Sequence, residues 1–484
     1  MTTSPPLPLR FLCYLLFIFC SCLLCCLPTV RAADRPNIVY FLIDDLGFTD
    51  VGFHGSEIKT PHIDQLATGG ARLEAFYVQP VCSPTRAALM TGRYPMRHGL
   101  QVGVVRPWAQ YGLPLEERTL PQALQEAGYE TAICGKWHLG HFQPAYLPTR
   151  RGFNHQYGHY NGALDYFTHE RDGGFDWHRD DKVCRDEGYA TTLLGTEAVR
   201  LIEEHNPAKS LFLYVPFNAP HSPLQAPPEY LDRYQHITDT KRRTYAAMVH
   251  CVDDQIGRIV AALEKKGLRQ NTLIAFSSDN GGPLNLGATN GSWRAGKATL
   301  YEGGVRVSAF ANWPGKIKPG TTVNAALHMV DWYPTLLNLA GASLEQKLPL
   351  DGRDAWPAIT QGQSSPHEEI LLNTTPGNGA IRVGDWKLVL NGNRPEDGAP
   401  GPAASGQPEP KKGKKKQGAA GAGPVELFNL AQDPYEKTNL AEQQPEKAAQ
   451  LKARLDFYAK AALPPKSAPK ASDFPTPKVW GEPQ

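Results

Sequence analysis

At 484 residues, 41% hydrophobic and 20% charged, the chain is too long for one small core and too apolar for wholesale disorder. Fifty basic against 48 acidic residues leave a formal net charge of +2, which excludes a general pull towards nucleic acid or anionic membrane. Nine cysteines in such a length are too sparse for a disulfide scaffold, and Cys13, Cys20, Cys22, Cys25 and Cys26 crowd near the N-terminus.

The chain opens on a targeting pattern. Arg10 precedes a continuous apolar run over 11–27, and Val30-Arg31-Ala32 has the spacing of a cleavage site, so residues 1–32 read as a signal peptide. The run is short for a spanning helix, so cleavage is favoured over anchoring and no stable membrane span is expected. The mature chain is therefore expected outside the cytosol: secreted, periplasmic or in a lysosome-like compartment.

Short β-rich runs follow, at 38–43, 131–134, 211–215 and 272–276, each continuous enough to be buried on both faces of a sheet. Between them lie helical patterns at 120–127 and 245–263, the latter with Met248, Val252, Ile256, Ile259 and Leu263 on one stripe. This alternation predicts an α/β fold, a large mostly parallel sheet flanked by helices, over residues 33–365. Every run ends in polar residues: Asp44-Asp45, Lys136, His221 beyond Asn218, and Asp279-Asn280. Ligands bind at that carboxyl edge in open α/β sheets.

Residues 366–484 change character and predict a smaller C-terminal α+β subdomain. It contains a hairpin of 380–383 and 386–390 across Gly384-Asp385, a strand at 425–430 and a helix at 444–463. Residues 391–424, rich in Gly, Ala and Pro with a lysine cluster at 411–416, read as a flexible insertion, better explained as solvated linker than as a polyanion dock.

Cys82-Ser83-Pro84-Thr85-Arg86 stands apart. Pro84 suits the first turn of a helix running to Gly92, which would set Cys82 at a helix N-terminus with Arg86 one turn on. On those residues alone Cys82 could be a low-pKa thiolate. The longer stretch decides between readings. Pro80-Val81-Cys82-Ser83-Pro84-Thr85-Arg86-Ala87-Ala88-Leu89-Met90-Thr91-Gly92 resembles the first signature of the type I formylglycine-dependent sulfatases. Gly128-Tyr129-Glu130-Thr131-Ala132-Ile133-Cys134-Gly135-Lys136-Trp137-His138 resembles their second. The resemblance spans 37–440 and is similar to the arylsulfatase B-like (N-acetylgalactosamine-4-sulfatase-like) branch, where Leu147-Pro148-Thr149-Arg150-Arg151-Gly152-Phe153 is also familiar.

The resemblance implies an alkaline phosphatase-like sulfatase fold, with 33–365 as its catalytic domain. It implies that a formylglycine-generating enzyme oxidises Cys82 to an aldehyde that hydrates to a gem-diol. It implies one calcium ion bound by Asp44, Asp45, Asp279, Asn280 and the modified Cys82; carboxylates and an amide are hard oxygen donors, suited to calcium or magnesium rather than zinc. Lys136 and Lys297 are expected to hold sulfate oxygens, Arg86 to steady the nucleophile, and His138 and His221 to move protons. Glu302 and Arg306 read as supports for the loop that carries Lys297. The pair Asp253-Asp254, mid-helix, reads as solvated or ion-paired.

The expected activity is hydrolysis of an aryl sulfate or a sulfated carbohydrate, such as a sulfated N-acetylgalactosamine in a glycosaminoglycan. Loops at 98–111 and 153–177, rich in His, Tyr and Trp, could stack on sugar rings. The rivals are a phosphate or phosphonate monoester hydrolase on the same scaffold and a catalytically silent glycan-binding relative. The first is disfavoured by the lack of extra His ligands, the second by the intact motifs. Asn290-Gly291-Ser292 and Asn373-Thr374-Thr375 match glycosylation acceptors if the host glycosylates.

Overall fold

The computed structural model describes residues 35–375, 378–392, 424–467 and 469–482; the expected signal peptide and most of the 391–424 insertion lie outside the described residues. The ten-stranded main sheet has a parallel middle, in the order Thr272–Ser278, Asn37–Ile43, Leu211–Phe217, Glu130–Lys136, His155–His159. Antiparallel pairing begins at Ala309–Asn312 on one side and His178–Arg179 on the other. All four strands expected from the apolar runs are present, each longer by a residue or more.

The central strand explains the layering. Ile38, Tyr40 and Leu42 face a core built with the helices Cys82–Thr91, Leu120–Glu126 and Trp332–Ala340. Val39, Phe41 and Ile43 face a second core, with Pro61–Thr68, Ala190–Glu204 and Thr240–Lys265. Alternate side chains thus feed two helical layers, as an apolar strand covered on both sides requires. Caps set the helix starts: Thr119 and Gln122 form a capping box, and Asp239 accepts from the Arg242 amide at 2.9 Å.

Asp253 departs from expectation. It is fully buried, not solvated, and its carboxylate accepts from the backbone N–H groups of Ile63 (2.8 Å) and His62 (3.3 Å). It therefore caps the Pro61–Thr68 helix from the flank of the Thr240–Lys265 helix, where Thr60 supplies no side-chain cap of its own.

In the C-terminal part, Glu369–Thr375, Asn378–Val383, Trp386–Leu390 and Val425–Asn429 form an antiparallel sheet. Val383 pairs with Trp386 across the expected two-residue turn, where Gly384 takes a φ of 56°. One face of this sheet joins the main core through Leu371, Ile381, Leu388 and Leu427, beside Leu451 and Leu455 of the helix Pro445–Ala461. The other packs on Leu300, Tyr301 and Val305, just past Lys297.

Beyond that helix the chain straps two surface loops, which no sequence pattern announced. Leu463 and Lys466 donate backbone bonds to Met96 (2.9 Å) and Gly99 (2.7 Å). Trp480 donates its backbone N–H to Phe175 (2.9 Å) and its indole N–H to the Arg171 carbonyl (2.7 Å).

Asp253→Ala is expected to cost about 1–2 kcal/mol, the loss of a helix cap. The effect should appear as a lowered urea midpoint with KM unchanged; an unaltered midpoint would show that the cap contributes nothing.

Candidate active site

The carboxyl edge of the parallel strands collects the chemistry. Asp44 and Asp45 follow Ile43, Asp279 and Asn280 follow Ser278, Lys136 closes its strand, and His221 lies just past Phe217. The helix Cys82–Thr91 begins at Cys82 and ends at Gly92, whose φ of 65° suits its αL cap. Cys82 is 2% exposed.

Each carboxylate has a cation. Arg86, fully buried, donates to Asp279 Oδ2 from Nη2 (2.9 Å) and Nε (3.2 Å), to Asp44 Oδ2 (3.3 Å), and to the Lys136 carbonyl (2.9 Å). Lys136 Nζ donates to Asp44 Oδ2. Lys297 Nζ sits 2.6 Å from Asp45 Oδ1, and Asn280 Nδ2 donates to the same oxygen at 2.8 Å. His221 Nε2 is 3.7 Å from Asp45 Oδ2.

Two acceptors in this cluster, Asp44 Oδ1 and Asn280 Oδ1, are buried without a hydrogen-bond partner. Asp44, Asp45 and Asp279 can each present an oxygen within 4.8 Å of the others. Orphaned oxygen acceptors beside three carboxylates fit a hard divalent cation. A second trio, Asp44, Cys82 and His221, satisfies the same distance. It shares Asp44 with the first and would need a thiolate, which the surroundings disfavour.

Burial pushes the Cys82 thiol up to about 11, against the opposing pull of Lys136 and Lys297. Desolvation outweighs the nearby cations, so this setting disfavours the low-pKa thiolate considered from sequence. Burial would also raise Asp44, yet Lys136, His221, Arg86 and Lys297 together hold it well below the usual carboxylate range. Asp279 rises to about 6, from burial and then the charge of Asp44. Burial and Lys297 bring His221 down to about 4, and burial with Lys136 and Arg86 holds His138 well below its usual value. Both imidazoles are thus neutral at pH 7.

The tautomer of His138 follows from its contacts. Nε2 lies 3.0 Å from the Val105 carbonyl, so it carries the proton, and Nδ1, buried and unpartnered, keeps a free lone pair. The backbone here is strained: Asp45 (φ 69°), His138 (φ 58°), and Ala295 and Ala298 on either side of Lys297 (φ 60° and 68°) all take left-handed conformations. Such strain costs about 1–3 kcal/mol per residue and concentrates at functional sites.

A cavity of about 840 Å³ opens over this cluster, lined by Asp45, Cys82, His138, His221 and Lys297 on its polar side. Lys136 is fully buried against Asp44 and does not line it. Arg106 and Arg171, which no motif singled out, do. The aromatic residues expected to meet sugar are largely unavailable, since Trp177, Tyr166 and His98 are buried. Asn290 is also unsuited to glycosylation: it is buried, and its side chain accepts from Gly282 N at 2.9 Å and donates to Gly282 O at 3.0 Å.

The support of the Lys297 loop comes from farther away than its sequence suggested. Glu302 accepts from Tyr77 (2.8 Å) and pairs with Arg306 (3.4 Å), as a buttress should. Its stronger partner is Lys387 of the small sheet, fully buried between Glu302 (2.9 Å) and Glu436 (2.8 Å). Lys387→Ala, which strands two buried carboxylates, is expected to cost about 3–5 kcal/mol. A chemical denaturation curve that matches wild type would refute that role.

A family model described as Sulfatase matches residues 36–342. Arylsulfatase J of Mus musculus is 38% identical over 480 residues, covering 93% of this chain and 80% of that one. Arylsulfatase A of Homo sapiens is 33% identical, covering 87% and 86%. Among solved structures, Ps i-CgsB superposes with a TM-score of 0.78 at 34% identity over 89% of this chain and 94% of that one. Its complex with k-i-k-neocarrahexaose gives 0.77 at 33%. The chain belongs to the sulfatase family. It is a sulfuric ester hydrolase.

Proposed function

We propose that this sulfatase removes sulfate from a sulfated carbohydrate, with residue 82 as formylglycine and one calcium ion held by Asp44, Asp45, Asp279 and Asn280. The observation that carries the reading is the meeting of Cys82, Asp45 and Lys297 in the lining of one cavity, with Asp44 and Asp279 within ligand distance of Asp45 behind them. The oligosaccharide complex of Ps i-CgsB supports a sugar as substrate. When present, the ion would neutralise charge on the bound ester, and the hydrated aldehyde would supply an oxygen nucleophile with a second oxygen beside it.

The chain's own groups do the rest. Lys297 reaches the cavity and can hold a sulfate oxygen. Lys136, behind Asp44, adds fixed positive charge where negative charge spreads over the transferring group. Arg86 orients residue 82 one turn along its helix while locking Asp44 and Asp279 in place. His138 Nδ1 can accept a proton from residue 82. Protonation of the leaving alcohol falls to Lys297, a cation that lines the cavity, while neutral His221, its Nδ1–H held by the Ser222 carbonyl at 2.7 Å, faces the cavity as an acceptor.

Export of the mature chain rests on the N-terminal apolar run, and no helix among the described residues is long and apolar enough to cross a membrane. A separate formylglycine-generating enzyme is the implied maturation partner.

Peptide mass spectrometry of protein from its native host should find residue 82 about 18 Da below the thiol form, as conversion of the thiol to an aldehyde requires. That protein should cleave a sulfate ester far faster than the matching phosphate ester. An unmodified Cys82 in active enzyme would sink the nucleophile assignment. Lys136→Ala should lower turnover by about 10²–10³, as loss of one preorganised charge does; wild-type turnover in that variant would remove Lys136 from the mechanism.

A further inference from the structure

The cavity is larger than one sulfated ring needs. At about 840 Å³ it falls in the upper part of the ~300–1,000 Å³ range that holds drug-sized ligands. Its lining is also unbalanced in charge. Among the described residues that line it, Arg106, Arg171 and Lys297 stand against one carboxylate, Asp45, and Lys297 already occupies that carboxylate at 2.6 Å.

We propose that Arg106 and Arg171 form a second anion-binding subsite, for a carboxylate or sulfate on the sugar next to the one whose sulfate is cleaved. The inference rests on the reading that a sulfated carbohydrate enters this cavity. Three observations support it. The two guanidiniums are close enough to feel each other, since Arg171 depresses the Arg106 pKa after the larger effect of burial. Like charges facing one cavity are unfavourable until an anion lies between them. The Arg171 Nε is buried without a hydrogen bond, and its ion pair is a loose one, at 3.5 Å, with the exposed Asp172 next to it in the chain.

Both arginines are also held in place. Arg106 directly follows Val105, whose carbonyl fixes His138 and whose amide donates a 3.0 Å bond to Ser83 Oγ. Its guanidinium lies 5.9 Å from the Trp108 ring. Arg171 lies on the short hairpin Glu170–Arg171 and Gly174–Phe175, which the C-terminal strap clamps through Trp480. Planar forks held in advance suit oxyanions, which they bind bidentately with little ordering cost.

Calorimetry in a Cys82→Ala background, where the ligand is not turned over, tests this. The probes are a monosulfated disaccharide, the same disaccharide with a uronate carboxylate on the neighbouring ring, and the same with a second sulfate ester there. One or both doubly charged probes should bind about tenfold more tightly than the first, the scale of one charge-assisted contact. Which of them gains identifies the anion. Adding Arg171→Gln or, separately, Arg106→Gln should bring the ratio towards one. Because the ratio is taken within each variant, a general loss of affinity cancels; Arg171, on a surface hairpin, gives the variant least able to disturb folding. Equal binding of all three probes, or an Arg171→Gln protein that keeps the parental ratio, overturns the subsite. Failure of every probe to bind would instead remove the carbohydrate reading, and the subsite with it.

Discussion

Three carboxylates buried at one sheet edge, each paired with a buried or half-buried cation, are the constraint the rest of the molecule serves. Asp44, Asp45 and Asp279 would be intolerable there without Lys136, Lys297 and Arg86. Apolar replacements of similar shape would cost less, so the cluster is kept for what it binds rather than for stability. Parallel strands bring the acids to one line, the Cys82 helix brings Arg86 between two of them, and a loop from beyond residue 290 brings Lys297 to the third.

How much of this was legible depends on the range of the interaction. The strand runs and their polar ends could be read because an apolar strand covered on both faces has an unmistakable local pattern, and its terminus must point at the site. Cys82 and Arg86 share one helical turn, so their proximity was local as well. Lys387 was not legible: in its hairpin it looks like an ordinary surface lysine, and only packing of the small sheet against the Lys297 loop brings it to Glu302. Asp253 was misread for the same reason, since the amides it caps are about 190 residues away in the chain.

The C-terminal strap belongs to this long-range class. Its Pro-rich segment has no helical or strand periodicity, yet its backbone bonds tie down both loops that carry the cavity's arginines. Aromatic residues in those loops pointed the sequence reading towards sugar stacking, whereas most of them are buried and hold the loops in shape. The cavity wall is instead left to charge and to small side chains such as Gly162 and Ala163.

The pairing of Leu390 with Val425 also governs what the fold can tolerate. The two ends of the 391–424 segment are zipped together by neighbouring strands, and the Asn391 amide donates to the Pro424 carbonyl at 3.3 Å. A segment whose ends are already joined adds closure entropy only as the logarithm of its length. Chain can therefore be gained or lost at this point at small cost, although Gly392 at its edge accepts from the Leu300 amide at 3.1 Å, beside the loop that holds Lys297.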